Sequence, residues 1–304
     1  MGAAAVQARE GAEVPPAPDA PFDLSKFLAA ASILFSSFIG FDSIAQAGGE
    51  AKNPERNLPL AIGIAVVGVG AFYMLFTGAV YHAVPWAYVA EQAQLRDVTA
   101  PGLLGMLLSP GWTVMIVGGA AVALTNDLPA MLLAVSRLMF AWAEDGIFPA
   151  AVARVHPRWG TPHIALIASG VMASLSIVGS HLASDFFLGV DILVTSMLVN
   201  FLLMCASVLA LKHTNPEIAQ RITVLRSRRL QIPLAALGLF SLGGLLAVHI
   251  AKDLAAPVSH WALRSTFVWV MVMAAASLIY WIEVRKLRRQ GFDLTAHFKA
   301  MPAE

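Results

Sequence analysis

The sequence has few charged residues, one cysteine and no histidine pair at metal-ligand spacing. Charged side chains make up 13% of the 304 residues, about half of the roughly 25% found in soluble domains. Cys205 has no second cysteine in the chain, so an intrachain disulfide is excluded. The eight histidines are scattered, and no metal site is expected from them. These scarcities argue against an ordinary soluble domain and against a disulfide scaffold.

Other features are also missing. The net charge is only +1, so no nucleic-acid partner is indicated. Residues 1–22 are rich in Ala, Pro and Glu and hold no apolar core of signal-peptide length, which predicts a disordered tail. No nucleophile–base arrangement or nucleotide motif stands out. We therefore expect neither an enzyme nor a cofactor.

Long apolar runs are abundant. The chain is 58% hydrophobic with a mean hydropathy of +0.71. A helix needs about 20 apolar residues to cross a membrane, and the segments that qualify are approximately 24–48, 58–84, 112–142, 159–182, 185–211, 230–251 and 265–282. The apolar piece 102–108 is too short to span and predicts an interfacial or re-entrant helix. We predict an all-α integral membrane protein with seven spans in residues 23–284, followed by a basic tail, 285–304.

The distribution of positive charge predicts the orientation of these spans. Fifteen of the 20 Lys and Arg residues fall in connections on one side of the membrane and five on the other. The side richer in basic residues is cytoplasmic. This indicates a multi-pass protein of the cell membrane whose N-terminus is outside and whose C-terminus is cytoplasmic. Tryptophans near the span ends agree with interfacial anchoring.

The first span is interrupted. Its apolar run breaks at Gly40, shows a carboxylate at Asp42 and ends in a charged, Pro-punctuated loop. Irregular backbone at membrane depth is tolerated only where it lines a cavity or packs against protein, and broken helices build substrate sites in secondary transporters. The first half of such a helix ends in free carbonyl groups, and the second begins with free N–H groups.

These free backbone groups give the residues of the break candidate roles. The carbonyls near Ser36, Ser37, Phe38 and Ile39 are suited to accept hydrogen bonds from an ammonium group. Gly40 belongs to the same substrate-binding set, and Phe38 and Phe41 are candidate apolar gates. Two roles stay open for Asp42, namely an N-cap of the second half-helix and a coupling or binding group.

Asp127 is a second acidic candidate. It is about 15 residues into the third span, roughly 22 Å at 1.5 Å per residue, and thus well inside the membrane. A carboxylate at that depth pairs, binds a proton or faces water. Two roles remain open for Asp127. It either faces a cavity and serves in coupling, or it pairs with another group in a structural role.

Three stretches carry a family resemblance. The pattern F-x-G-F-D followed by E-x-K-N-P-x-R-x-x-P, from Phe38 to Pro59, resembles helix six of amino acid permeases of the amino acid–polyamine–organocation (APC) superfamily. SRLMFAWAEDGIFP, Ser136 to Pro149, is similar to the cytoplasmic end of helix eight, and VHPRWGTP, Val155 to Pro162, to the loop before helix nine. The chain departs from the pattern at Gly49-Glu50, where the family often has two adjacent acids.

The resemblance covers nearly all the chain from Phe22 and implies a specific architecture. The seven spans would be family helices six to twelve, the second half of a five-plus-five inverted repeat with two extra helices. The first five helices would be absent, including the broken helix that usually receives the substrate carboxylate. The resemblance also implies that the carbonyls of the break hold the α-amino group. Glu50, Lys52, Asn53 and Arg56 would help seal a cytoplasmic gate, although a solvated turn explains these residues as well.

Two functions follow as hypotheses. The first is amino acid transport by alternating access, coupled to H⁺ or Na⁺, with an amino acid or related amine as substrate. A separate chain, or further sequence of the same gene, would then supply the first five helices. The second is a non-transporting truncated remnant or accessory membrane subunit.

Overall fold

The computed structural model describes residues 21–46, 51–95, 109–182, 188–222, 225, 227–256 and 264–293. Most of the predicted tails, the short piece 102–108 and Glu50 lie outside these ranges. The helices, in chain order, are α1 (Leu24–Leu34), α2 (Ser43–Gln46), α3 (Pro54–Ala83), α4 (Trp86–Leu95), α5 (Pro110–Glu144), α6 (His163–Leu182), α7 (Leu188–Thr214), α8 (Pro216–Arg221), α9 (Arg228–Ala255) and α10 (Ser265–Arg289). Two 3₁₀ turns, Phe35–Phe38 and Ala150–Ala153, complete the regular structure of the described ranges.

The predicted all-helical fold with seven membrane-spanning segments is confirmed. Seven helical segments in the described residues are long and apolar enough to cross a membrane, the first being the interrupted Leu24–Ala45. Large apolar side chains on them are widely exposed, as Phe240 is at 83% and Met74 at 79%. Such exposure suits contact with lipid. Helix α4 was not predicted, because its ten residues are too few to span and its apolar pattern is weak.

The chain divides into two compact units. The smaller one contains Gly63–Met131, that is, most of α3, all of α4 and the first part of α5. Val84 and Tyr88 are fully buried at the junction of α3 and α4. The larger unit contains Asp23–Ile62 and the chain from Leu132 onward, and it holds the interrupted span.

Helix α9 is central to the larger unit, where it packs against α7 and α1, while α10 packs against α7. Gly238 allows the close approach of α9 to α7. A Cβ atom at this position would lie 2.8 Å from the Sγ of Cys205, closer than two such atoms can pack. Val194, Thr195 and Leu198 of α7 are almost fully buried. Small residues at helix contacts are the usual means of close packing in membranes.

The end of α5 packs against residues on both sides of the stretch Val155–Pro162. Ala143, Val152 and Ala165 form a buried cluster that joins the end of α5, the second 3₁₀ turn and the start of α6. Gly146 ends α5 in the left-handed region at φ 73°, and a Cβ there would lie 2.8 Å from a methyl group of Leu287. Only glycine adopts this backbone conformation without strain while leaving room for Leu287.

Acidic residues cap the first and last spans. Asp23 accepts hydrogen bonds from the Ser25 hydroxyl and from the N–H groups of Ser25 and Lys26, and the first of these contributes most to holding the pKa of Asp23 below its usual value. Asp253, near the end of α9, accepts the N–H groups of Ser265 and Thr266 at 3.3 and 3.0 Å. It therefore caps α10 from another helix.

Candidate functional site

The interrupted span has three parts. Helix α1 ends at Leu34 and tightens into the 3₁₀ turn Phe35–Phe38. Ile39 then adopts an extended conformation, Gly40 has φ 129°, and α2 starts at Ser43. A φ of this value is open only to glycine at low energy. The break predicted at Gly40 is thus present, and the glycine makes it possible.

Local hydrogen bonds leave at least one carbonyl of the break open. The Ser36 carbonyl accepts the N–H of Ile39 at 3.1 Å, and the Ser36 hydroxyl donates back to the Ile33 carbonyl at 2.7 Å. The Ile39 carbonyl accepts no hydrogen bond from the residues that the structure describes. An unpaired acceptor beside a turn at membrane depth needs a partner such as a ligand, water or another part of the protein.

The free N–H groups expected at the start of α2 are already paired. The N–H groups of Ser43, Ile44 and Ala45 donate to the carbonyls of Gly40, Phe41 and Asp42 at 3.1, 3.3 and 2.9 Å. Each bond therefore connects a residue to the third one before it, the 3₁₀ spacing. The first N–H groups of the second half of the span are therefore bonded to carbonyl groups of the break itself.

The contact of Asp42 differs from an N-cap of the second half-helix, which was one of the two roles considered for it. Its carboxylate accepts the N–H of Gly40 at 3.2 Å, on the preceding side of the turn. The side chain is half-buried, and within the described residues this is its contact with the break. The carboxylate stabilises the glycine conformation that separates the two halves. Its coupling role stays a prediction.

An aromatic contact connects the break to α7. The ring of Phe41 stacks on Phe201 with centroids 5.5 Å apart and planes 15° apart. The ring of Phe35 meets Phe201 edge-on at 6.0 Å. Phe38, the other predicted gate, is half-buried, and Ser37 is exposed. Sequence reasoning missed Phe201, whose only signal was an aromatic ring in the middle of the fifth span.

The predicted gate residues lie at the start of α3. Asn53 adopts φ 50°, a left-handed conformation that asparagine tolerates, directly before Pro54 opens the helix. Lys52 and Arg56 are exposed, and neither forms an ion pair with a described residue. Asp127 is exposed in α5, in the smaller unit, two residues before Pro129. The predicted site residues from Ser36 to Asp42 all lie in the break of the first span, while Asp127 lies on α5.

The described residues contain no group of three or more His, Cys, Asp or Glu side chains suited to a metal ion. The site therefore consists of backbone carbonyls, one carboxylate and aromatic rings. Oxygen acceptors beside apolar walls recognise a small cationic or polar group and orient it.

Comparisons with known proteins identify the family of the chain. A family model described as "Amino acid permease" matches residues 14–283. The chain is 33% identical over 202 residues to the vacuolar cationic amino acid transporter 4 of Arabidopsis thaliana, covering 65% of this chain and 31% of that protein. It is 29% identical over 204 residues to the branched-chain amino acid permease BcaP of Bacillus subtilis, covering 66% of this chain and 42% of that protein.

A methylthioribose transporter of Bacillus subtilis is 27% identical over 207 residues, covering 66% of this chain and 42% of that protein. The chain therefore spans less than half the length of these relatives. No solved structure matches the chain. Because the family match extends over most of the sequence, from before the first helical span into the seventh, the chain belongs to the amino acid permease family.

Proposed function

We propose that the chain takes part in secondary transport of an amino acid or related amine across the cell membrane by alternating access. The observation that carries this proposal is the interrupted first span, in which the carbonyl of Ile39 is open beside the half-buried carboxylate of Asp42. Family membership and the names of the relatives support transport as the activity.

The substrate ammonium group is the part that this break suits best. An ammonium carries three donors and no acceptor, and the C-terminal end of a half-helix bears partial negative charge. Ser36 to Phe41 would form the binding segment, with Ile39 accepting directly and with Phe38 and Phe41 as the apolar cover. The relatives are named for cationic amino acids, branched-chain amino acids and methylthioribose, so we propose no substrate side chain.

A second segment would complete the site. The relatives are more than twice as long as their matching segments, and by resemblance an earlier broken helix holds the substrate carboxylate. We propose that these helices come from a separate chain or from further sequence of the same gene. The positive charge distribution supports an outside N-terminus and a cytoplasmic C-terminus. Lys52, Asn53 and Arg56, with Glu50, would then help close the cytoplasmic side.

Uptake by reconstituted protein tests the proposal. The purified 304-residue chain in liposomes should show no saturable uptake of radiolabelled amino acids, because only the carbonyl half of the site is present. Co-expression with a five-helix segment that carries a Gly-rich broken helix should restore uptake. Saturable uptake by the chain alone would contradict the proposed division of the site. Absence of uptake in both preparations, with folded protein confirmed by circular dichroism, would contradict transport.

Asp42→Asn separates the charge of this residue from its hydrogen bond. Asparagine still offers an oxygen to the N–H of Gly40, so the turn should persist. The melting temperature should therefore change by less than about 2 °C, which corresponds to a stability change of under about 1 kcal/mol. If the negative charge serves cation coupling, uptake by the complete assembly should fall at least about fivefold, since hydrogen bonds to charged groups exceed neutral ones by about 1 kcal/mol. Unchanged uptake would leave Asp42 with the structural role alone.

A further inference from the structure

A small cavity lies where α7 ends and α9 begins. Its volume is about 210 Å³, and the short helix α8 contributes one wall. Lys212, Gln220, Arg228 and Gln231 form its polar side, whereas Leu211 and Ile222 are among the residues that form its apolar side. Because α7 and α9 are both membrane-spanning helices, a cavity at their joined ends lies at the depth of lipid headgroups.

Arg228 is fixed in this cavity by the backbone of α7. One terminal nitrogen donates to the carbonyl of Val208 at 2.7 Å and to Oε1 of Gln231 at 3.2 Å, and the other donates to the carbonyl of Leu209 at 2.5 Å. A guanidinium has five N–H donors, so two remain for a ligand. The hydrogen bonds hold the side chain in one position and thereby reduce the entropy lost when it binds an anion.

Among the residues whose side chains the structure describes, no acidic group balances the positive charge of the cavity. Arg228 forms no ion pair with any described residue, and Lys212 has no polar partner among them. The described residues that line the cavity include neither aspartate nor glutamate. Two cations that face one small space repel each other until an anion enters between them.

The size and the mixed walls of the cavity select the kind of anion. Pockets that hold drug-sized ligands usually measure about 300–1,000 Å³, so a cavity of about 210 Å³ suits a headgroup and not a whole metabolite. The apolar wall beside the cations suits the glycerol and first methylene groups of a lipid. Basic pockets between helices at a membrane face are a recurring means of binding anionic headgroups.

We propose that this cavity is a binding site for an anionic phospholipid, with the lipid phosphate between Lys212 and Arg228. The phosphate accepts hydrogen bonds from the free donors of both side chains, and its charge-assisted contacts are stronger than neutral ones. The acyl chains extend along the exposed apolar surface of the spans. The site is separate from the interrupted helix and does not depend on transport.

Lipid titration followed by native mass spectrometry tests this site in the full chain. Phosphatidylglycerol and phosphatidylcholine are added separately to the detergent-solubilised protein, and the apparent Kd of the first bound lipid is measured. Phosphatidylglycerol should bind about tenfold or more tightly than phosphatidylcholine, and Lys212→Gln and Arg228→Gln should each remove most of that preference. Lys212→Arg should retain it.

Arg229→Gln is the matched control. Arg229 is exposed, neighbours Arg228 in sequence and does not line the cavity, so its removal should change the Kd by less than about twofold. An equal loss of lipid affinity in Arg229→Gln and Arg228→Gln would overturn the site. It would instead indicate diffuse attraction of anionic lipid by the basic residues of the loop 221–230. Full displacement of the lipid by equimolar glycerol phosphate or inorganic phosphate would overturn the lipid as the ligand. Because Lys212 is exposed, its variants keep the test valid if Arg228→Gln fails to fold.

Discussion

Replacing Gly40 by alanine is expected to lower uptake by the complete transport assembly about tenfold or more. Gly40 has φ 129°, where a residue with a Cβ atom costs about 1–3 kcal/mol. The chain would relieve this strain by rotating the turn, which moves the neighbouring Ile39 carbonyl and breaks the hydrogen bond from the Gly40 N–H to Asp42. A misplaced acceptor loses the substrate contact that the break provides.

Gly63→Ala is the control for this prediction. Gly63 lies within α3, and no atom would come within 4 Å of an added Cβ. Both variants are measured for radiolabelled uptake, with rates divided by the amount of protein in the membrane. Gly63→Ala should transport normally. If Gly40→Ala keeps full uptake, the glycine conformation is not needed at the site, and the proposed role of the Ile39 carbonyl is lost with it.

Replacing Gly238 by alanine is expected to destabilise the contact between α7 and α9. The added Cβ would lie 2.8 Å from the Sγ of Cys205, and forcing extra atoms into a packed contact costs about 1–3 kcal/mol. Alanine also favours a helix over glycine by about 1 kcal/mol. Gly244 lies in the same helix, and nothing lies within 4 Å of an added Cβ there. Gly244→Ala therefore has the same gain in helix propensity without the clash. The two alanine variants should therefore differ by about 1–3 kcal/mol.

Cys205→Ala provides the rescue. The Cβ of Cys205 lies 3.9 Å from the position of the new Cβ, an ordinary contact. The double variant Cys205→Ala/Gly238→Ala should recover most of the lost stability, measured by unfolding in mixed detergent micelles. A double-mutant cycle isolates the contribution of this contact. If the losses of stability in the two single variants simply add in the double variant, the Sγ of Cys205 is not the atom with which the new Cβ clashes.

The spans and the break were predictable because both are local properties of the sequence. A run of about 20 apolar residues suffices to indicate a membrane helix, and Gly40 interrupts such a run. The contact between Phe41 and Phe201 was not predictable in the same way, since it joins residues that are distant along the chain. The direction of the Asp42 side chain was missed because a carboxylate in a turn has N–H donors on both sides.

The cavity between α7 and α9 was hidden for a further reason. The basic loop from Arg221 to Leu230 was visible in the sequence, where membrane orientation and a general contact with anionic lipid were enough to explain it. Only the structure shows that the Arg228 side chain donates hydrogen bonds to the carbonyls of Val208 and Leu209. A count of charges reports which side of a membrane they prefer, but it contains no information on which of them line the same cavity.

Hydrogen bonds in both directions join the end of α9 to the start of α10. Asp253 holds the first N–H groups of α10, and Arg264 in turn donates to the carbonyls of Asp253 and Ala256. With reciprocal bonds at their shared end, we expect the two helices to move together. Among the described residues, the turn of the first span is closed by short-range backbone bonds and by the Asp42 carboxylate, and its contact with α7 is through aromatic rings. Bending during a conformational cycle would thus concentrate in the few residues around Gly40, which act as the hinge.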